Sequence, residues 1–246
     1  MYKSWNIQRF IMLHIGHRGA RAYEPENTLR SFKKALEIGV NAIELDVRRT
    51  KDNQLVVIHD ADVKRTTNGK GIVSELTLDE IKEFSTAEGE KIPTLEEALN
   101  FLDSKVEILI ELKEEGVEEQ VLAAIREKGL QRKIIIVSFH EEALRKIREA
   151  EKEVETGLIY VKHKNPLKTA LELKANYLLP LYRFTHTANV KKAHENGLKV
   201  IVWTINNPEE VAEYIKKGVD GIASDKPDIL TPGIPMYLEK NLYEKH

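Results

Sequence analysis

There is no cysteine in the 246 residues, so disulfides and thiolate metal sites are excluded. No apolar run is long enough to cross a bilayer. Met1–Leu13 holds no signal-peptide core, because Asn6, Gln8 and Arg9 interrupt it. Charge of one sign is equally scarce. Lys and Arg total 38 against 40 Asp and Glu, a formal net charge of −2 that gives no electrostatic reason to expect nucleic acid. Nor is there a Gly-rich dinucleotide loop to support an open doubly wound sheet. These absences lead to the expectation of a cytoplasmic protein with no membrane span.

What is present centres on Ile43–Asp60. Ile43, Leu45 and Val47 alternate with Glu44 and Asp46, and the two-residue period of a strand puts both carboxylates on one face. Asp52-Asn53 then reads as a two-residue hairpin turn, and Leu55–Ile58 as the arm that returns antiparallel. If Lys51 pairs with Gln54, counting down the ladder sets His59 opposite Asp46.

Along the rest of the chain, strands alternate with helices. Strands are expected at Ile11–Ile15, Ala42–Val47, Val106–Leu112, Lys133–Ser138, Glu155–Val161, Tyr177–Leu179, Lys199–Thr204 and Asp220–Ala223. Helical spacing follows Asn27, a candidate N-cap, and stops at Gly39; Thr94 and Glu97 have capping-box spacing. Eight strands, each followed by a helix, predict a (β/α)₈ TIM barrel spanning 1–246 as a single domain. Residues 1–11 form an N-terminal extension, with Met12 as an alternative start, and residues 60–91 a short insertion after the hairpin. Tyr237, Leu238 and Leu242 in the tail are expected to cover the barrel or to mediate a dimer.

Active sites of such barrels sit at the C-terminal ends of the strands. Those ends are polar here: His17 and Arg18 after the first, Glu44 and Asp46 on the second, Glu111 and Lys113 on the third. Glu44, Asp46 and Glu111 make an all-oxygen set suited to a hard divalent cation, Mg²⁺ or Ca²⁺, with Mn²⁺ as a third candidate. Two imidazoles, His17 and His59, can divide general acid and base work near neutral pH. Arg18 and Lys113 supply positive charge for an anion. A metal site, two histidines and two cations together suit cleavage of a phosphodiester. Asp225 is read either as orienting Lys or Arg at the mouth or as a helix cap. His14, His163, His186 and His194 are read as surface or packing residues.

The chain resembles the glycerophosphodiester phosphodiesterase family. The resemblance is carried by Gly16-His17-Arg18-Gly19 with Pro25-Glu26-Asn27-Thr28, by Glu44-Leu45-Asp46-Val47, and by Val56-Val57-Ile58-His59-Asp60 with Arg65-Thr66-Thr67. Ile92-Pro93-Thr94-Leu95, Ile110-Glu111-Leu112-Lys113, Trp203-Thr204-Ile205-Asn206 and Gly218-Val219-Asp220-Gly221-Ile222 follow in the family's order, from about Ile15 to Pro227. The resemblance implies a TIM barrel that uses a divalent metal to hydrolyse a small-molecule glycerophosphodiester to glycerol 3-phosphate and an alcohol. By position, His17 and His59 would be the acid–base pair, and Glu44, Asp46 and Glu111 the metal ligands. Arg18 and Lys113 would hold phosphate, with Trp203 a wall of the glycerol pocket. Attack by the neighbouring glycerol hydroxyl or by water is left open, and so is the oligomeric state. The alternatives are lysophospholipase D action, a lyase that stops at the cyclic phosphate, and a non-catalytic phosphoester-binding barrel. The first would need an apolar ramp, for which Ile72, Val73, Leu76 and Leu78 of the insertion offer little.

Overall fold

The structure is a computed structural model that describes residues 12–103 and 105–231. The expected extension at 1–11 and the tail residues Tyr237, Leu238 and Leu242 lie outside them.

Strands β1 (Leu13–His17) and β2 (Ala42–Arg49) flank α1 (Leu29–Ile38), and β3 (Leu55–Val57) returns beside β2. After α2 (Leu78–Glu83) and α3 (Leu95–Leu102) the chain alternates through β4 (Glu107–Leu112), α4 (Glu118–Lys128), β5 (Ile134–Ser138), α5 (Glu141–Ala150) and β6 (Glu155–Tyr160). It finishes with α6 (Pro166–Glu172), β7 (Tyr177–Pro180), α7 (Thr187–Glu195), β8 (Lys199–Val202), α8 (Pro208–Lys217) and β9 (Gly221–Ser224). All the strands but β3 are parallel, and β1 pairs with both β2 and β9, so the sheet closes into an eight-stranded barrel. The expected (β/α)₈ architecture is what the chain adopts.

Burial separates the two faces of each strand. Ile15, Ala42, Leu109, Ile135, Val137, Ile159, Tyr177, Leu179, Ile201 and Ala223 fill the barrel. Their neighbours Ile43, Leu45, Val47, Ile108, Ile110 and Leu112 point outward and pack with Phe32, Leu99 and Ile125 of the helices. Strand parity then fixes the mouth. Two residues beyond Ile15 comes His17, beyond Ala42 come Glu44 and Asp46, beyond Leu109 comes Glu111, beyond Ile201 comes Trp203, and beyond Ala223 comes Asp225.

The hairpin differs from expectation by one residue. Val47 pairs with Val57, Arg48 with Val56 and Arg49 with Leu55. Thr50 N–H donates to Gln54 O at 2.8 Å, so the loop is three residues long, 51–53. Its local chemistry favours this turn: Thr50 Oγ1 donates to Asp52 and accepts from Gln54 N–H, while Asn53 adopts φ 59. Ile58, not His59, therefore lies opposite Asp46, whose carbonyl accepts from Ile58 N–H at 3.0 Å. A second expectation shifts too: Thr28, not Asn27, caps α1, accepting from Ser31 N–H. Gly39 does end that helix at φ 94, and Thr94 and Glu97 do form a capping box on α3.

The insertion shares a small core with the hairpin arm and the segment before α3. Val56, Ile58, Val63, Val73, Ile81 and Ile92 cluster beneath it, with Leu76, Leu78 and Phe84 packed at the edge. Of the four apolar residues a lipid ramp would use there, only Ile72 is exposed.

At the heart of the barrel Gly157 leaves room for its neighbours. A Cβ placed there would lie 2.4 Å from Leu179 Cδ1 and 3.1 Å from Tyr177 Cβ. Gly157→Ala is therefore expected to destabilise the fold by about 1–3 kcal/mol through overpacking, read as a lower urea midpoint with an unchanged slope.

Candidate active site

The acidic trio is made by register. β1 sets His17 beside Glu44, and β4 sets Glu111 beside Asp46. One oxygen from each of Glu44, Asp46 and Glu111 falls within 4.8 Å of the others, and all three residues are buried. Such a cluster needs compensation, since an unpaired buried carboxylate costs several kcal/mol. Arg18 Nε lies 3.2 Å from Asp46 Oδ2, and Lys113 Nζ lies 2.6 Å from Glu111 Oε1 and 3.6 Å from Asp46 Oδ1. Arg18 N–H donates to Glu44 Oε2 at 2.9 Å, and Asn27 Nδ2 donates to Asp46 Oδ2 at 2.8 Å.

That compensation is incomplete. Burial, together with Asp46 and Glu111, pushes Glu44 well above the carboxylate range. Burial and Asp46 likewise raise Glu111, to about 7, against the pull of Lys113. Burial also works against ionised Asp46, but Arg18, Lys113, His59 and Asn27 outweigh it and hold this carboxyl low. Glu44 Oε1 and Asp46 Oδ1 are buried with no hydrogen-bond partner. Orphaned hard oxygens on convergent carboxylates fit a divalent cation that takes oxygen ligands.

Each histidine is backed by a carboxylate. His17 Nδ1 sits 2.6 Å from Asp225 Oδ1, with His17 Nε2 3.9 Å from Glu44 Oε2. His59 Nδ1 sits 2.6 Å from Asp60 Oδ1, and Arg48 Nε donates to His59 O at 2.8 Å. The carboxylates accept from Nδ1–H, an assignment made from the hydrogen-bond network. Burial lowers both imidazoles despite these carboxylates, so both are neutral at pH 7.

The turn after β1 makes these contacts possible. Arg18 and Gly19 are both left-handed, at φ 55 and 83, and a Cβ on Gly19 would meet Ser31 Oγ at 2.4 Å. Trp203 is half-buried; its Nε1 donates to Leu179 O at 2.8 Å and its ring packs perpendicular to that of exposed Phe139, centroids 5.9 Å apart.

The structure thus brings the expected residues to one mouth and adds others that sequence reasoning missed. Asn27, expected as a cap, instead has φ 58 and holds both the carboxylate and the N–H of Asp46. Of the two readings of Asp225 the mouth position holds and the cap does not: its Oδ1 lies 3.7 Å from Arg21 Nε, and it also accepts from His17 and, at 2.8 Å, from Asn206 Nδ2, partners the sequence did not suggest. Strand parity through Gly221 and Ala223 was the signal for its inward position. His163 and His194 pair with Glu141 and Asp220.

A parallel barrel with carboxylates, imidazoles and cations converging on its C-terminal mouth is an arrangement suited to phosphoester chemistry. Residues 17–229 match the model of the glycerophosphoryl diester phosphodiesterase family. A glycerophosphodiester phosphodiesterase of Caldanaerobacter subterraneus subsp. tengcongensis is 39% identical over 232 residues, covering 89% of this chain and 96% of that protein. Another from Bacillus subtilis is 32% identical, covering 89% and 85%. An Oleispira antarctica phosphodiesterase, solved in complex with the product sn-glycerol-3-phosphate, superposes with a TM-score of 0.80 at 29% identity, covering 87% of this chain and 93% of that one. The chain belongs to the glycerophosphodiester phosphodiesterase family and is a hydrolase of that class. Among the described residues, no helix is long and apolar enough to cross a membrane.

The trio makes cation binding depend on pH. Burial and the neighbouring carboxylates raise both Glu44 and Glu111, Glu111 to about 7, so as pH falls they take up protons that an incoming cation would have to displace, and affinity for a cation would rise with pH. Mg²⁺ is expected to raise the melting temperature more at about pH 8 than at about pH 6. EDTA or Glu44→Gln should abolish the difference.

Proposed function

We propose that the chain hydrolyses glycerophosphodiesters to glycerol 3-phosphate and an alcohol in a reaction that depends on a divalent cation, with His17 and His59 as the general acid–base pair. The observation that carries this reading is the pair of carboxylate-backed imidazoles beside a buried acidic trio with two orphaned oxygens. The product bound in the Oleispira antarctica relative is the product this site would release.

Glu44, Asp46 and Glu111 would hold the cation. Bound there, a divalent ion would supply charge neutralisation to the phosphoryl group. Lys113 and Arg18 stand beside the same carboxylates and bind the phosphate oxygens, Lys113 as a point charge and Arg18 through its planar fork.

With Nδ1–H committed to Asp225 or Asp60, Nε2 of each imidazole is the nitrogen left for the substrate. A neutral imidazole accepts the proton of the attacking hydroxyl at Nε2. The other imidazole, protonated as the anionic phosphate approaches, donates from Nε2 to the leaving alkoxide. Asp225 and Asp60 stabilise the cation that forms on each ring. Trp203, with Phe139 against it, walls the glycerol side. With Val73 buried and Ile72 alone exposed among its apolar residues Ile72, Val73, Leu76 and Leu78, the insertion offers little surface to a lipid tail, which favours a small head group.

The test is release of glycerol 3-phosphate from glycerophosphoethanolamine with Mg²⁺, Mn²⁺ or Ca²⁺. His17→Ala and His59→Ala are each expected to lower kcat by roughly 10²–10⁴-fold, and EDTA to abolish turnover. Wild-type rates in either histidine variant would remove that residue from the acid–base pair.

A further inference from the structure

Glu26 lies in the loop between β1 and α1 and belongs neither to the acidic trio nor to the histidine pair. Its carboxylate nonetheless gathers three guanidinium groups. Arg65 Nη1 donates to Oε2 at 2.9 Å and Arg65 Nη2 to Oε1 at 2.7 Å. Arg18 Nη1 donates to Oε1 at 2.8 Å, and Arg21 Nη2 stands 3.4 Å from Oε2.

Two of those arginines continue to the partners of the histidines. Arg65, contributed by the insertion, donates through Nε to Asp60 Oδ2 at 2.5 Å, and Asp60 holds His59. Arg21 places Nε 3.7 Å from Asp225 Oδ1, and Asp225 holds His17. The chain His17–Asp225–Arg21–Glu26–Arg65–Asp60–His59 is therefore continuous. Arg18 branches from its centre to Asp46. Along the chain three carboxylates alternate with two guanidiniums, Arg18 adds a third cation at Glu26, and Glu26 is the carboxylate in contact with all three. Although burial opposes its charge, Arg65, Arg18 and Arg21 hold Glu26 down to about 2.

We propose that Glu26 is a positioning residue that holds both histidine–aspartate pairs in one frame, His59 through Arg65 and His17 through Arg21. The proposal rests on the acid–base reading of His17 and His59. Without the Glu26 charge, Arg65 loses its two-pronged anchor and Arg21 its second carboxylate. Asp60 and Asp225 then relax, and each imidazole loses its fixed tautomer and orientation. The insertion is tied to the catalytic mouth by the same contact, because Arg65 is the last residue of its first helical turn, Val63–Arg65.

The experiment is a ¹⁵N–¹H correlation spectrum of the imidazoles in the Mg²⁺-supplied full chain, wild type against Glu26→Gln, with Arg65→Gln and Arg21→Gln as single-arm variants. Wild type should show His17 and His59 each as one Nδ1–H tautomer. Glu26→Gln should convert both to exchanging mixtures, Arg65→Gln should move His59 alone, and Arg21→Gln His17 alone. Kinetics of the same variants should show kcat reduced roughly 10–100-fold with KM for glycerophosphoethanolamine little changed. Unaltered imidazole signals in Glu26→Gln, or a change at only one histidine, would overturn the joint frame. If Glu26→Gln does not fold, the two single-arm variants decide alone, and unaltered signals in both overturn the proposal. The spectra are independent of turnover, so a failure of the acid–base reading would appear in the His17→Ala and His59→Ala rates and leave the spectra interpretable.

Discussion

Three carboxylates crowd one side of the barrel mouth, and their mutual repulsion organises most of the polar contacts around them. Glu44, Asp46 and Glu111 face inward because the strand period gives them no alternative. Arg18, Lys113 and Asn27 then converge on Asp46, the most enclosed of the three. Two cations stand against three acids in a low-dielectric corner, and the shortfall raises Glu44 and Glu111 while Asp46 is held low. The left-handed turn at Arg18 and Gly19 serves the same end, since it brings a backbone N–H and a guanidinium from one residue to two different carboxylates.

A second layer surrounds this corner and works by orientation instead of charge supply. Asp225 and Asp60 come from opposite ends of the chain, one after the last barrel strand and one after the hairpin. Yet they meet the two histidines in the same way, at Nδ1 and at the same distance. The symmetry comes from the arginines and Glu26 between them, which reach the mouth from the first loop and from the insertion.

Much of this was legible in the sequence because a barrel strand converts parity into direction. The alternation of Ile43, Leu45 and Val47 with Glu44 and Asp46 placed both carboxylates correctly, and Glu111 and Lys113 followed from the same rule. The hairpin register was not legible. Thr50 has a hydroxyl that clasps the turn from inside, and this adds a loop residue that a count from Asp52-Asn53 does not reveal. Asn27 was misread for a related reason. Its side chain satisfies a long-range partner, whereas a capping pattern sees only the next few residues. Long-range ion pairs such as Arg65 with Glu26 leave no local trace at all, because neither residue carries periodicity.

The small core beneath the insertion shares none of its buried members with the barrel cores. Its outer members Val63, Val73 and Ile81 can change together, whereas Val56 and Ile58 are held by β2, Ile58 through its N–H on the Asp46 carbonyl. The latitude has one further limit. Any altered insertion must present a guanidinium where Arg65 stands, so evolution of substrate range by this route is tethered to a single side chain.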